Sequence, residues 1–283
     1  MSSMSGQRTD KLKNLLETVP PGFLIDSRWL NEQDISRQLA SNYANSGWLE
    51  RLSQGLYRRP FTRGHNPDVE RDWKIPVLSA QWIMHYSFHV AGTTAMEQHG
   101  YAHYLRLSGP GKLYVHGDVP TWLSKLHFRA TLVHRQGSLF GDAALGVENN
   151  DFSLEEENQQ DLGESPWLWP MRLSSPERSL LETIDEVPRL ESFHLVDVLF
   201  QSMANLRPKL MTQLLRECRS IKTKRLFFAF ADRHAHAWRK YIDQSLIDLG
   251  SGDRMLVEGG KLHPIYRITM PAEFVTSEAR DGS

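Results

Sequence analysis

DSRWLNEQDISRQLASNYANSGWLERLSQGLYRRP, residues 26–60, decides how the first part of this chain folds. Asp26 stands where a short polar side chain caps a helix over Ser27 to Glu32, and Gln33 and Asp34 fall where a tight turn is needed. The spacing predicts a second helix from about Ser36 to Asn45, with Gly47 placed to stop it. Ile35, Leu39 and Tyr43 recur every four residues, which gives one inward stripe and leaves Ser36, Arg37, Gln38, Ser41, Asn42 and Asn45 outside. Next, Leu49 to Leu52 and Leu56 to Arg59 flank Ser53, Gln54 and Gly55, a three-residue hairpin turn with a glycine free to take positive φ. Two helices joined by a turn and followed by a hairpin make a winged helix-turn-helix.

The outer face of the second helix is polar and carries a single arginine, Arg37. A merely solvated helix alternates Glu and Lys, whereas Ser, Arg, Gln and Asn offer the donors and acceptors that meet base edges in a major groove. Lys11 and Lys13 on a preceding helix, with Arg51, Gln54, Arg58 and Arg59 on the hairpin, complete the expected DNA-binding set, the basic residues meeting phosphates. A helical cap with a hairpin would use the same elements without touching nucleic acid, and the placement of the basic residues is what favours double-stranded DNA. Residues 1–60 hold eight Lys and Arg against six Asp and Glu, so binding would rest on local placement rather than on bulk charge.

The whole chain has 283 residues, 40% of them hydrophobic, enough for two cores, and a formal net charge of -1. Its one cysteine, Cys218, excludes an internal disulfide and a cysteine-based zinc module and fits a reducing, cytoplasmic setting. No apolar run approaches the ~20 residues of a membrane span, and Met1 to Asp10 lacks the apolar centre of a signal peptide. Between Pro60 and Pro67, Pro, Gly, Asn and charged residues interrupt the apolar pattern. A DNA-binding domain with its linker is therefore expected over residues 1–66 and a larger domain over 67–283.

The larger part mixes both structure types. Helices are expected at Asp68 to Tyr86, Thr93 to His99, Pro176 to Asp185, Phe193 to Asn205, Pro208 to Cys218 and Lys222 to Leu249. Strand-like runs are Lys112 to His116, Phe128 to Arg135, Trp169 to Leu173 and Ile265 to Met270, so the class is α+β with a mainly helical second half. Glu148 to Glu164 carries seven acidic residues and no Lys or Arg, the composition of a solvated loop. Arg207 to Lys240 carries ten basic residues against Glu217 and Asp232, and its apolar residues repeat at helical spacing. An accessory basic face on the outside of packed helices is expected there, formed by Arg216, Arg219, Lys222, Lys224 and Arg225.

Catalytic and metal motifs are absent. His85 and His89, and likewise His99 and His103, stand four apart, and His234 and His236 two apart, but neither four-spaced pair has the HExxH arrangement of a metalloprotease. His234 shares an apolar stripe with Phe230 and Trp238, the place of a hydrogen-bonded core histidine. No metal ligand, cofactor or catalytic residue is expected. Ser175 before Pro176 reads as a helix cap with proline at the first helical position, and Gly259-Gly260 ahead of Pro264 as a tight turn into the last strand.

Three segments also carry a family resemblance. They are Gly55-Leu56-Tyr57-Arg58; Ser174-Ser175-Pro176-Glu177-Arg178-Ser179-Leu180-Leu181-Glu182; and Gly250-Ser251-Gly252-Asp253-Arg254 followed by Glu258 to Pro271. In this order, over roughly residues 10–271, the chain resembles the AbiEi-type antitoxins, transcriptional regulators of abortive-infection, type IV toxin–antitoxin systems. The resemblance implies a first domain that represses its own operon at inverted repeats. It also implies a second domain that counteracts a nucleotidyltransferase-like toxin without forming a stable complex with it. A ligand-responsive regulator and a DNA-targeted nucleic-acid-modifying enzyme are the alternatives; the enzyme is disfavoured because the only acidic cluster, Glu155 to Glu157, lies in an expected loop rather than beside strands.

Overall fold

The computed structural model describes residues 3–61, 72–101, 111–137, 139–148 and 170–275, with side chains from residue 9 onward. The chain is mixed α+β and divides into two compact units, each discontinuous in sequence. The expected loop after Glu148, His103 and most of the proposed linker lie outside the described residues.

The first unit takes described residues of Met1–Phe88, Asp118–Leu132 and Asn149–Arg172. It opens with α1 (Ser3–Thr18), β1 (Leu24–Asp26), α2 (Ser27–Glu32) and α3 (Arg37–Asn45), and then the hairpin of β2 (Glu50–Ser53) and β3 (Leu56–Arg58). β1 joins the hairpin as a third antiparallel strand, in the order β1-β3-β2, which gives the wing a buried edge. Leu15, Val19, Phe23, Ile25, Trp29, Leu30, Ile35, Ala40, Tyr43, Leu49, Leu56 and Tyr57 close the core between helices and sheet. The inward stripe of α3 is Ala40 and Tyr43 with Ile35 just before the helix, while Leu39 sits half-buried at its edge. Ile35 and Tyr43 of the expected stripe are buried and Leu39 only in part, with Ser36 serving as the cap rather than as the first helical residue.

Asp26 ties this module to the chain that follows it. Its carboxylate caps α2 by accepting from the Trp29 amide at 2.9 Å, and also accepts from the Tyr86 hydroxyl at 2.7 Å and the Trp122 indole at 3.1 Å. Burial and this bond to Asp26 push the Tyr86 phenol up to about 12. Ser79 accepts from the Leu24 amide at 3.0 Å, and Arg28 stacks 3.9 Å over the Tyr86 ring. Tyr86 and Ser79 belong to a segment in which α4 (Lys74–Leu78) passes directly into a π-helical turn, Ser79–Ile83.

The second unit takes described residues of His89–Gly117, Val133–Glu148 and Leu173–Ser283. It holds most of a five-stranded sheet of order β6-β5-β4-β8-β7, from β4 (Phe88–Val90), β5 (Gly111–Gly117), β6 (Ala130–Arg135), β7 (Val147–Glu148) and β8 (Leu173–Ser174), with Phe88 and Ala130 to Leu132 counted in the first unit. Its helices are α5 (Gly92–Gln98), α6 (Pro176–Asp185), α7 (Phe193–Ser202), α8 (Pro208–Glu217) and α9 (Ile221–His234), and it ends in the antiparallel pair β9 (Lys261–Leu262) and β10 (Thr269–Met270). Ser175 caps α6 through the Arg178 amide with Pro176 at the first helical position, and Leu180, Leu181 and Ile184 are wholly buried on it. The helix expected from Lys222 to Leu249 stops at His234, where Ala235 adopts a left-handed φ of 49° and the chain continues in 3-10 turns. The run from Ile265 shrinks to Thr269–Met270, because Tyr266 and Ile265 turn back to donate their amides to His263 Nδ1.

Candidate nucleic-acid interface and a buried polar centre

Within the first unit, Ser36 accepts from the Leu39 amide at 3.2 Å and so starts α3 where its polar face is outermost. Arg37, Gln38, Asn42 and Asn45 are exposed along that face, and Gln38 donates to Asn42 at 3.3 Å, which aligns the two amides. Across the turn, Gly55 at φ 76° allows the hairpin to fold back, and Arg51 and Gln54 project from it. Arg37, Ser41, Arg51 and Gln54 line one cleft of about 430 Å³ between helix and wing. Lys13 is exposed on α1 with Glu17 3.8 Å away, and Lys11 bonds the Asp34 carbonyl at 2.6 Å, pinning α1 to the turn before α3.

Two expected phosphate contacts have another task. Arg58 faces its cross-strand partner Glu50 at 2.6 Å and packs 4.8 Å over the Phe61 ring, with its side chain only 14% exposed. Arg59 donates to the carbonyls of Leu16 and Val19 at 2.5 and 2.6 Å, so it caps the carboxyl end of α1. Burial lowers its pKa from the usual arginine value. The expectation of a free basic hairpin overlooked hairpin register, which places Arg58 opposite Glu50, and the open carbonyls that every helix end presents.

The accessory basic face of the second unit is corrected more fully. α9 is buried from Thr223 to Ala231, so Lys224 and Arg225 have no outside to occupy. Arg225 binds the carbonyls of Leu249, Gly252 and Arg267 at 2.7–2.8 Å, Lys224 binds that of Asp248 at 3.1 Å, and Lys222 binds those of Asp185 and Val187. These cations spend their N–H donors on loop carbonyls rather than on solvent or an anionic partner. Arg216 and Arg219 remain exposed. His234 is held as a structural histidine by Asp197, 2.7 Å from its Nε2.

A polar centre that sequence spacing did not reveal lies at the α6 motif. Glu182 is fully buried and accepts from the Gly92 amide at 3.0 Å, Ser174 Oγ at 2.8 Å and Arg178 Nε at 2.8 Å. His89 Nε2 lies 3.4 Å and His116 Nδ1 3.6 Å from its Oε1. Burial alone would raise the Glu182 pKa, but His116, His89 and Arg178 outweigh it and hold the carboxyl well below its usual range. Burial likewise lowers the His116 pKa, against the opposing pull of the Glu182 carboxylate. His85 and His89, four apart in sequence, do not share a helix: His89 sits on β4 and His85 takes a left-handed φ of 54°. The partners of His89 are distant in sequence, and the three residues of β4, all buried, are too few to show a strand period.

No helix among the described residues is long and apolar enough to cross a membrane. A solved structure of similar fold is the crystal structure of RV2827C protein from Mycobacterium tuberculosis, 15% identical, covering 93% of this chain and 90% of that one with a TM-score of 0.56. No curated protein matches the chain. Residues 8–107 match the model of the AbiEi antitoxin N-terminal domain of transcriptional regulators, and residues 111–271 match that of the transcriptional regulator, AbiEi antitoxin, of type IV toxin–antitoxin systems. With nearly its whole length accounted for in this way, the chain belongs to the AbiEi antitoxin family of transcriptional regulators.

Proposed function

We propose that this antitoxin represses its own operon by placing α3 in the major groove of operator inverted repeats, and that its second unit counteracts a nucleotidyltransferase-like toxin without a stable complex. One observation supports the first half above the others. Arg37, Gln38, Ser41 and Asn42 share the outer side of α3, and the wing brings Arg51 and Gln54 to the same cleft. Arg37 and Gln38 then read base edges, Asn42 holds Gln38 in register, and Lys11, Lys13 and Arg51 are the backbone contacts. The chain acts here as a binder, not as an enzyme.

Competition titration of the full chain against its operator and a random duplex tests the assignment. A lost bidentate base contact costs about 1–3 kcal/mol of discrimination, so Arg37→Ala or Gln38→Ala is expected to weaken operator binding while sparing most random-duplex binding. Equal losses on both duplexes, with folding intact, would remove α3 from base reading. For the second half, co-expression with the toxin is expected to show rescue of growth while size-exclusion chromatography recovers the two proteins separately; co-elution would overturn that mode of action.

A further inference from the structure

We propose that His89, His116 and Glu182 bind one divalent transition ion of the zinc class, with a fourth position open to the cleft that His116 and Glu182 share with Arg135, Glu186 and Ser220. The three residues come from β4, β5 and α6, so the fold rather than local sequence assembles them. Their donor atoms all lie within 4.8 Å of one another. Zinc bonds of about 2.0–2.1 Å to nitrogen and oxygen require tetrahedral edges of about 3.3 Å. The two separations from Glu182 Oε1, 3.4 Å to His89 and 3.6 Å to His116, are close to such edges. Two histidines and one glutamate with an open position are also the ligand set of a zinc centre that keeps a bound water.

A second observation points independently to a ligand. His116 is 9% exposed, and among the described residues its Nδ1 is a buried side-chain polar atom with no hydrogen-bond partner. A purely structural network gives it no satisfaction in either tautomer. As a lone pair it faces a carboxylate oxygen 3.6 Å away; as an N–H it has no acceptor within hydrogen-bond reach. An ion between the rings gives that lone pair a partner and sets the proton on Nε2.

The surroundings are those of an oriented ligand. The Gly92 amide and Ser174 hydroxyl fix Glu182 Oε2, leaving Oε1 turned toward both imidazoles. Arg178 opposes a cation, since its Nε lies 2.8 Å from Oε1. Its guanidinium also donates to the carbonyls of Ala143 and Leu145 and packs 4.6 Å from the centre of the Phe140 ring. That positive charge lowers affinity and favours a site that fills and empties with metal supply.

The full-length protein, stripped with chelator and dialysed, is titrated with ZnCl2 and with CoCl2. Saturation at one equivalent is expected, with the intense visible absorption of four-coordinate Co2+ and a zinc-dependent rise in the thermal midpoint. His89→Ala and His116→Ala are each expected to weaken binding by at least about tenfold, the lower end of what even a supporting partner of a metal ligand contributes. Absence of saturable binding overturns the proposal, as does one-equivalent binding weakened less than about tenfold in both variants. Should the variants fail to fold, the wild-type spectrum decides: only the weak bands of six-coordinate Co2+ would place the ion elsewhere.

Discussion

Replacing Asp26 with alanine removes one carboxylate and disturbs three separate pieces of the first unit. The α2 cap through the Trp29 amide is lost, which costs about 1 kcal/mol. Trp122, 8% exposed, keeps an indole N–H with no acceptor, a desolvated donor worth roughly 1–3 kcal/mol. The Tyr86 hydroxyl is half-buried and regains water in part, so it adds at most about 1 kcal/mol. Together the loss is roughly 3 kcal/mol, or a fall of about 1.5 M in urea midpoint for a slope near 2 kcal/mol per molar. Asp26→Asn keeps an acceptor for the cap and is expected to lose less than half as much. Urea unfolding followed by circular dichroism and tryptophan fluorescence reads both variants. An Asp26→Ala midpoint within about 0.3 M of wild type would show that the carboxylate is not the junction described here.

The remaining predictions concern the arginines and the buried acids. Arg51→Ala is expected to reduce the salt dependence of log affinity for DNA by about 0.9, whereas Arg58→Ala and Arg59→Ala lower stability and leave that slope unchanged. Filter-binding across a salt series with parallel denaturation separates these, and a slope reduced equally by Arg58→Ala would return that residue to the phosphates. Burial alone would raise the Glu177 pKa from its usual 4.5, but hydrogen bonds from Arg207 outweigh it and the folded value is lowered. A carboxylate depressed in the folded state stabilises above its unfolded pKa and loses that contribution as pH falls through the folded value. Arg207→Met is therefore expected to be less stable than wild type at pH 7, with the gap closing below about pH 4.5, and a gap constant from neutral to acid would refute it.

The helix-turn-helix was legible because capping and turn signals are local: Asp26, Ser36 and Gly47 each act on residues within three positions. The same holds for α6, where Ser175 and Pro176 mark the start without help from the rest of the fold. What escaped was decided by distant partners. β1 is too short to show alternation, and it is a strand because β3 lies beside it. Lys222, Lys224 and Arg225 fit a solvated face by composition, and only the loop from Asp248 to Gly252 turns two of them into carbonyl binders. His89, His116 and Glu182 lie far apart in sequence, so no spacing rule could gather them.

The Asp26 junction also bears on how repression and antitoxicity are to be separated. Apolar patterning placed a boundary near residues 60–67, and the family models divide the chain between 107 and 111. The compact units follow neither line: the first includes Tyr86 and Trp122, and the second takes up the chain at His89. A fragment beginning at residue 68 would keep Tyr86 and Trp122 while discarding the carboxylate that pairs them, and would leave Ser79 without the Leu24 amide. A fragment beginning at residue 111 would strip Gly92, whose amide fixes Glu182, from the helix that carries that acid. Loss of rescue in either fragment would report damaged packing as readily as a missing function. Substitutions on the exposed face of α3, where Arg37 and Gln38 make no contact that the core depends on, separate the two activities without cutting a hydrogen-bonded junction.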